Sequence, residues 1–244
     1  MSVDSGENSM KKSGRGRKPQ YTWLVVYCLG KLHMDEIRRL NKEHMAGGFT
    51  QTEIHDCVRE FIGIKNPDII RNAIYDAITH GWATAIRAHR HGRSLFMPTK
   101  SGLALYLVFN ELLFDINLLV SYSTSPVKFR EEIKHALSRF GFVLDGLISQ
   151  LSFYETLARA MANPFEYGKI HRRLNLLREI KKALFNYDKE VPTVIEARRI
   201  HNAIRHLIEV FKIMEIGNVA VLCNAADRII NGADPSTWSE DALG

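Results

Sequence analysis

Basic side chains are concentrated in one short segment, residues 87 to 93. Five groups that can carry a positive charge stand there: Arg87, His89, Arg90, His91 and Arg93. Cationic side chains pair with phosphates, and the counterions released from a polyanion drive such binding. Because imidazoles titrate near neutrality, the contact should strengthen as pH falls. The segment is predicted to contact phosphates; the alternative is a solvated loop.

A second basic run, Gly14-Arg15-Gly16-Arg17-Lys18-Pro19, lies in the N-terminal arm. Residues 1–20 lack the apolar core of a secretory signal and are predicted to form a flexible polar arm. The run resembles the AT-hook, whose Arg-Gly-Arg enters narrow A·T-rich minor grooves. The resemblance implies DNA contacts by Arg15, Arg17 and Lys18, although Lys18 stands where the AT-hook has Pro. The alternative is a disordered, weakly binding tail.

Residue combinations that support catalysis or metal binding are few. His55-Asp56 is an isolated dipeptide, and His201 and His206 are spaced too far apart to share one helix face well. The three cysteines are widely spaced without a CxxC, so neither zinc nor a disulfide framework is predicted. No Gly-rich phosphate loop follows a predicted strand. The sequence therefore predicts no enzyme, no metal and no cofactor.

The positive charge of the chain lies in its N-terminal part. The formal net charge is +6; residues 1–100 contain 16 Lys and Arg against 10 Asp and Glu, and residues 101–244 contain 17 of each. This asymmetry favours a polyanion as the partner of the first part and packing as the role of the second. A content of 45% hydrophobic residues over 244 residues suffices for two folded units.

Capping residues mark two helices upstream of the basic segment. Thr50 and Glu53 have the spacing of a capping box and predict a helix over residues 51–62. After a short turn, the dipeptide Asn66-Pro67 supplies an N-cap and a proline at the first helical position. A second helix is therefore predicted over residues 67–80.

The second helix is two-faced on a helical wheel. Its apolar side contains Ile70, Ala73, Ile74, Ala77 and Ile78. Its polar side contains Asp68, Asn72, Tyr75, Asp76 and Thr79, with Arg71 at the border. One face should pack while the other contacts a partner. Residues 83–87 and 94–98 then predict a β-hairpin with the basic segment at its tip.

This order of elements resembles the winged-helix domains of MarR-like and PadR-like regulators. In that family the wing leads into a Thr-x-x-Gly turn and a further helix, matched here by Thr99-Lys100-Ser101-Gly102. Gly81-Trp82 matches the family's Gly and apolar residue between the recognition helix and the wing. The resemblance covers about residues 21–105.

The resemblance implies roles for individual residues, since the second helix of such a pair enters the major groove. Base contacts are implied for Asp68, Arg71, Asn72, Tyr75 and Thr79. Backbone contacts are implied for Thr50, Gln51 and Thr52 at the start of the first helix, and for the basic wing. Asp68 and Asp76 would repel phosphates unless they accept from cytosine or pair with an arginine, so a protein partner is an alternative.

The remaining segments are predicted to be helical. Residues 21–45 should form one kinked helix or two short ones, broken near 30–33. Residues 103–120 read as a buried helix, because polar residues interrupt a possible membrane span. Further helices are predicted to end at Gly141 and to cover 142–162, 165–186, 192–216 and 218–230.

These features predict a mostly α-helical protein with an arm (1–20), a winged-helix DNA-binding domain (21–102) and an all-helical domain (103–244) that dimerises. We expect a transcriptional regulator that binds double-stranded DNA as a homodimer in the cytoplasm, associated with the nucleoid, without a membrane partner and with any small-molecule effector unknown. The alternatives are an architectural, replication or segregation protein of a chromosome, plasmid or virus, and a protein-interaction adaptor.

Overall fold

The structure, a computed structural model, describes residues 21–40, 47–64, 66–87, 94–110, 126–186 and 188–215. It is mostly α-helical with a small antiparallel hairpin, which confirms the predicted fold class at that level. The elements are α1 (Thr22–Arg39), α2 (Gln51–Ile62), α3 (Pro67–Thr79), β1 (Ala83–Arg87), β2 (Ser94–Pro98), α4 (Lys100–Val108), α5 (Pro126–Ala160), α6 (Pro164–Phe185) and α7 (Val194–Glu215).

The starts of α2 and α3 are fixed by the predicted caps. The Thr50 hydroxyl accepts from the Glu53 amide, and the Glu53 carboxylate accepts from the Thr50 amide, which completes the capping box. The Asn66 side chain accepts from the Asp68 amide, with Pro67 at the first position of α3. The predicted helices 51–62 and 67–80 are confirmed, the second ending one residue earlier.

The hairpin has the predicted strands, paired in register from Ala83 opposite Pro98 to Arg87 opposite Ser94. Phe49, just before α2, forms a bridge with Phe96 through two backbone hydrogen bonds of 2.8 and 2.9 Å. The segment leading into α2 is thus fastened to β2. This bridge was not predicted from the sequence.

The predicted break of the first helix near residues 30–33 is wrong, because α1 is continuous from Thr22 to Arg39. Gly30 instead admits the ring of Tyr106 from α4; a Cβ at Gly30 would lie 2.2 Å from Tyr106 Cγ. The glycine therefore permits close helix packing. Residues 41–46 lie outside the described part.

The predicted helix end at Gly141 is also wrong. One helix of 35 residues, α5, runs from Pro126 to Ala160. A Cβ at Gly141 would lie 2.9 Å from Cζ of Phe185, so this glycine accommodates a ring of α6. The helices predicted over 165–186 and 192–216 are confirmed as α6 and α7, whereas residues 111–125 and the helix predicted over 218–230 lie outside the described residues.

Helix α4 lies at the centre of the packing. Every residue from Ser101 to Val108 is buried, as expected of a helix without a polar face. It contacts α1 on the N-terminal side and α6 and α7 on the C-terminal side, so one continuous core crosses residue 102. The domain boundary at that residue stays a prediction. None of the described helices is long and apolar enough to cross a membrane.

Candidate nucleic-acid interface

The outer face of α3, defined as Asp68, Arg71, Asn72, Tyr75 and Thr79, is exposed to solvent. The opposite face is buried through Ile70, Ala73, Ile74 and Ala77, none more than 4% exposed, and Ile78 is half-buried. The predicted division of this helix into a packed and a free face is confirmed. The structure therefore brings all five candidate base-reading residues to one uncovered surface, which also includes Asp76.

Arg71 and Asp68 form an ion pair on this face, with 3.1 Å between Arg71 Nη2 and Asp68 Oδ1. Both side chains are more than half exposed, so the pair contributes less than about 1 kcal/mol. The arginine masks the carboxylate in the free protein. Arg71 can nevertheless exchange Asp68 for another acceptor with little loss of free energy.

Hydroxyl groups on the outer face differ in what they can still donate. Thr79 Oγ1 donates to the Tyr75 carbonyl at 2.9 Å, so this hydroxyl offers an external ligand only its acceptor capacity. Tyr75 is 54% exposed, which presents its ring at the same surface. Asn72, also exposed, carries both an amide donor and a carbonyl acceptor.

The start of α2 is more occupied by internal contacts than the sequence suggests. Thr50 Oγ1 donates to Glu53 Oε2 at 2.7 Å in addition to its capping bond. Gln51 Nε2 donates to the Pro67 carbonyl at 3.3 Å and so ties the start of α2 to the start of α3. Thr52 is exposed. The start of α2 therefore orients α3. Of the three predicted phosphate contacts there, Thr52 is more available than Thr50 and Gln51, whose side chains are engaged within the chain.

Much of the predicted basic surface lies outside the described residues. This applies to His89, Arg90, His91 and Arg93 in the hairpin tip and to Arg15, Arg17 and Lys18 in the arm. Arg87 closes β1 opposite Ser94 through its backbone. The pairing thus brings Arg87 and Ser94, the described residues on either side of 88–93, opposite each other.

The two motifs flanking the hairpin contact each other. Gly81 has φ 75° and Trp82 N donates to the Ala77 carbonyl, which closes α3 as a Schellman motif. Thr99 Oγ1 donates to the Gly81 carbonyl at 2.7 Å and accepts from Gly102 N at 3.1 Å. A Cβ at Gly102 would lie 1.8 Å from the Trp82 carbonyl oxygen. The Thr-x-x-Gly turn therefore packs closely against the end of α3 and is hydrogen-bonded to it.

Residues far along the chain complete this junction. The first two amides of α4, those of Lys100 and Ser101, donate to the carbonyls of Glu190 and Asp188 at 2.7 and 3.1 Å. With the Gly102 amide bound by Thr99, the first turn of α4 has its donors satisfied without water. The loop between α6 and α7 thereby acts as the cap of α4.

A cluster of charges reinforces this cap. Lys100 Nζ lies 2.8 Å from Glu190 Oε2 and 2.8 Å from Glu196 Oε1. Hydrogen bonds to these two carboxylates raise the pKa of Lys100 well above its usual range. Burial would raise the pKa of Glu196, but the hydrogen bonds from Lys100 and Thr193 outweigh it and lower that pKa.

An arginine of α7 caps the C-terminal end of α1. Arg198 Nη2 donates to the carbonyls of Ile37 and Leu40 at 3.1 and 2.9 Å, at the end of α1. Neither Arg198 nor the 188–190 loop was found from the sequence, because these contacts join positions about 90 to 160 residues apart. Ion pairs within one helix, such as that of Asp68 with Arg71, have a three-residue spacing that is visible in the sequence.

Other reactive groups in the described residues form no second site. No group of three or more His, Cys, Asp or Glu in that part of the chain is arranged to hold a metal. His55 Nδ1 lies 3.9 Å from Asp56 Oδ1, as a local pair. Cys28 and Cys57 are free, buried thiols that face each other across α1 and α2; burial raises the pKa of Cys28, and the hydrogen bond from Cys28 lowers that of Cys57.

Comparison of the chain with models of protein families, with curated proteins and with solved structures gives no match.

Proposed function

We propose that this chain is a sequence-specific DNA-binding regulator of transcription that uses a winged helix. The observation that carries the proposal is the outer face of α3, which is polar and uncovered while its back is sealed by apolar side chains. An α-helix of this kind fits the major groove of B-DNA, where each base pair presents a distinct set of donors and acceptors.

The surroundings of α3 support insertion as a rigid unit. The Gln51–Pro67 hydrogen bond fixes the start of α3 to α2, and the Thr99–Gly81 hydrogen bond fixes its end to α4. The Phe49–Phe96 bridge holds the hairpin beside the same pair of helices. Base reading needs this preorganisation, since a loosely held helix would lose binding free energy on being ordered.

The side chains have complementary roles in this proposal. Asn72 offers the bidentate amide that pairs with adenine, and Arg71 offers the guanidinium that pairs with guanine once it releases Asp68. The basic hairpin tip, with Arg90 at its centre, contacts phosphates and adds affinity independent of sequence. Two copies of the chain read paired half-sites, as is usual for such readers.

Selection of bound fragments from a random duplex library tests the proposal. The wild-type chain should enrich one short palindrome. Asn72→Ala should lower the preference for that site about 5- to 150-fold, the value of one bidentate base contact. Arg90→Ala should weaken binding to all sequences alike and lower the salt slope by about one.

Matched controls separate these roles from general damage. Asn186→Ala and Arg178→Ala remove an exposed asparagine directly after α6 and an exposed arginine within α6, and both variants should bind as the wild type does. Absence of DNA binding at about 100 mM salt would contradict the proposal and favour an adaptor. Spreading along DNA without a preferred site would favour an architectural protein.

A further inference from the structure

Helix α5 has two apolar faces, and only one of them is covered. The covered face packs mainly against α6 and contains Phe140, Val143, Leu144, Leu147, Leu151 and Ala158, each 8% exposed or less. A helix at the surface of a monomer usually has one apolar stripe directed to the core and a polar face toward water. The outward face of α5 departs from this rule.

The outward face contains large apolar side chains in solvent. Phe142 and Phe153, about three turns apart, are 77% and 65% exposed, and Leu157 on the next turn is 44% exposed. Two further large apolar side chains beyond the end of α5 are exposed, Met161 at 70% in the following turn and Phe165 at 76% at the start of α6. We call these five residues the α5 apolar surface.

The positions between these side chains are small and uncharged. Gly146, Ser149, Thr156 and Ala160 share the same side of the helix at the 3.6-residue period. Small residues allow the backbone of a second helix to approach closely. The bordering acid, Asp145, is already paired within the chain with Lys181.

The area of the surface is suited to association between two proteins. Buried aromatic side chains contribute roughly 150 to 250 Å² each. With three phenylalanines about two-thirds to three-quarters exposed, plus Leu157 and Met161, the surface amounts to about 500 to 600 Å². A stable interface buries about 800 Å² of each partner, so this surface supplies most of the area that one partner must contribute.

We propose that the α5 apolar surface is the dimer interface and that its occupant is a second copy of this chain, related by a two-fold axis. A two-fold interface brings one surface against itself and so must be complementary to itself. An uncharged apolar row satisfies this condition, since no like charges are brought together. The purpose of such a dimer, the reading of paired half-sites, rests on the proposed function. The test of the interface does not depend on it.

Sedimentation equilibrium of the full chain without DNA tests the interface. The wild type should be a dimer at micromolar concentration. Phe153→Glu should raise the dimer Kd at least about thirty-fold, the effect of losing a central aromatic anchor. Phe153→Leu, which keeps the apolar character, should retain the dimer, and so should Ile195→Glu, which alters an apolar side chain 53% exposed on α7, outside the surface.

Far-UV circular dichroism checks that the variants fold, and the concentration dependence of Tm gives a second measure, since dimers gain stability with concentration. A monomeric wild type would overturn the proposal and would indicate that other parts of the chain cover the surface. A dimer unaffected by Phe153→Glu and by Leu157→Lys would place the interface elsewhere. Binding of a single half-site by the monomeric variant would show that DNA binding holds independently, whereas a dimer that binds no DNA would refute only the proposed function.

Discussion

The hydroxyl of Thr99 donates a 2.7 Å hydrogen bond to the carbonyl of Gly81, across the two strands of the hairpin. Through this bond Thr99, the N-cap of α4, holds Gly81, the second residue after the end of α3. Because Thr99 also accepts from the Gly102 amide, one buried hydroxyl serves both helix ends. The angle at which α3 is presented therefore depends on this side chain.

Thr99→Val should lower the free energy of unfolding by about 2 to 4 kcal/mol, because it leaves a buried carbonyl and a buried amide without their partner. Thr99→Ser keeps the hydroxyl and should lose much less. Urea unfolding followed by circular dichroism measures both. A valine variant within about 0.5 kcal/mol of the wild type would contradict this role of Thr99.

Gly102→Ala should destabilise the protein by about 3 kcal/mol or more, because its Cβ would meet the backbone oxygen of Trp82, which cannot turn aside as a side chain can. Gly168→Ala is the control. This second glycine also lies in a helix, but nothing lies within 4 Å of its added Cβ, so the substitution should stabilise α6 by about 0.5 to 1 kcal/mol. The same unfolding measurement compares them; equal effects of the two substitutions would be inconsistent with the packing described.

His33 should make the fold sensitive to acid. Its ring is fully buried in α1, and burial lowers its pKa to about 4 from an ordinary value of 6.5. Above about pH 6.5 the ring is neutral in both folded and unfolded states. Below about pH 6.5 the unfolded chain binds a proton at His33, whereas the folded chain does not bind it until the pH approaches 4. The free energy of unfolding therefore falls by about 3 kcal/mol in total as pH reaches 4.

Unfolding free energies of the wild type and His33→Leu at pH 7, 5.5 and 4.5 isolate this contribution. The difference between the two proteins should shift in favour of the variant as pH falls. A pH-independent difference for His33→Leu would mean that the ring is protonated alike in both states.

Asp68→Asn should increase affinity for DNA, because it removes a negative charge from the outer face of α3 and frees Arg71. Because a carboxylate that repels phosphates is removed, we expect binding to all duplexes to tighten and the salt slope to steepen by up to about one unit. Asp56→Asn is the matched control, since Asp56 forms an equally exposed three-residue-spaced pair with Arg59 on α2, at 3.2 Å. Equal gains from both substitutions would attribute the effect to net charge alone.

Local signals predicted the elements around the candidate site well. The caps at Thr50 and Asn66 act within a few residues, and both helices and both strands were located from them and from the alternation of apolar residues. Glycine was misleading. Gly30 and Gly141 were interpreted as a break and an end, but each receives an aromatic ring from another helix. A sequence window cannot distinguish a glycine that ends a helix from one that lets a distant side chain approach.

The site itself was predictable only in part. The period of α3 determined which residues are exposed, because the wheel needs no knowledge of the partner helix. The contacts that hold α3 in place were not predictable, since the cap of α4 comes from residues 188–190 and that of α1 from Arg198. These contacts depend on the three-dimensional path of the chain between them.

The cap supplied by the 188–190 loop has a consequence for synthesis on the ribosome. Glu190 is made 90 residues after Lys100, which at about 5 to 20 residues per second is a delay of roughly 5 to 20 s. During that interval the amides of Lys100 and Ser101 lack their partners, and α4 can pack against α1 but not yet against α6 and α7. The nascent chain therefore passes through a stage in which the hairpin can form but α4 is not yet covered by α6 and α7. A chaperone that recognises exposed apolar surface would bind most strongly at this stage.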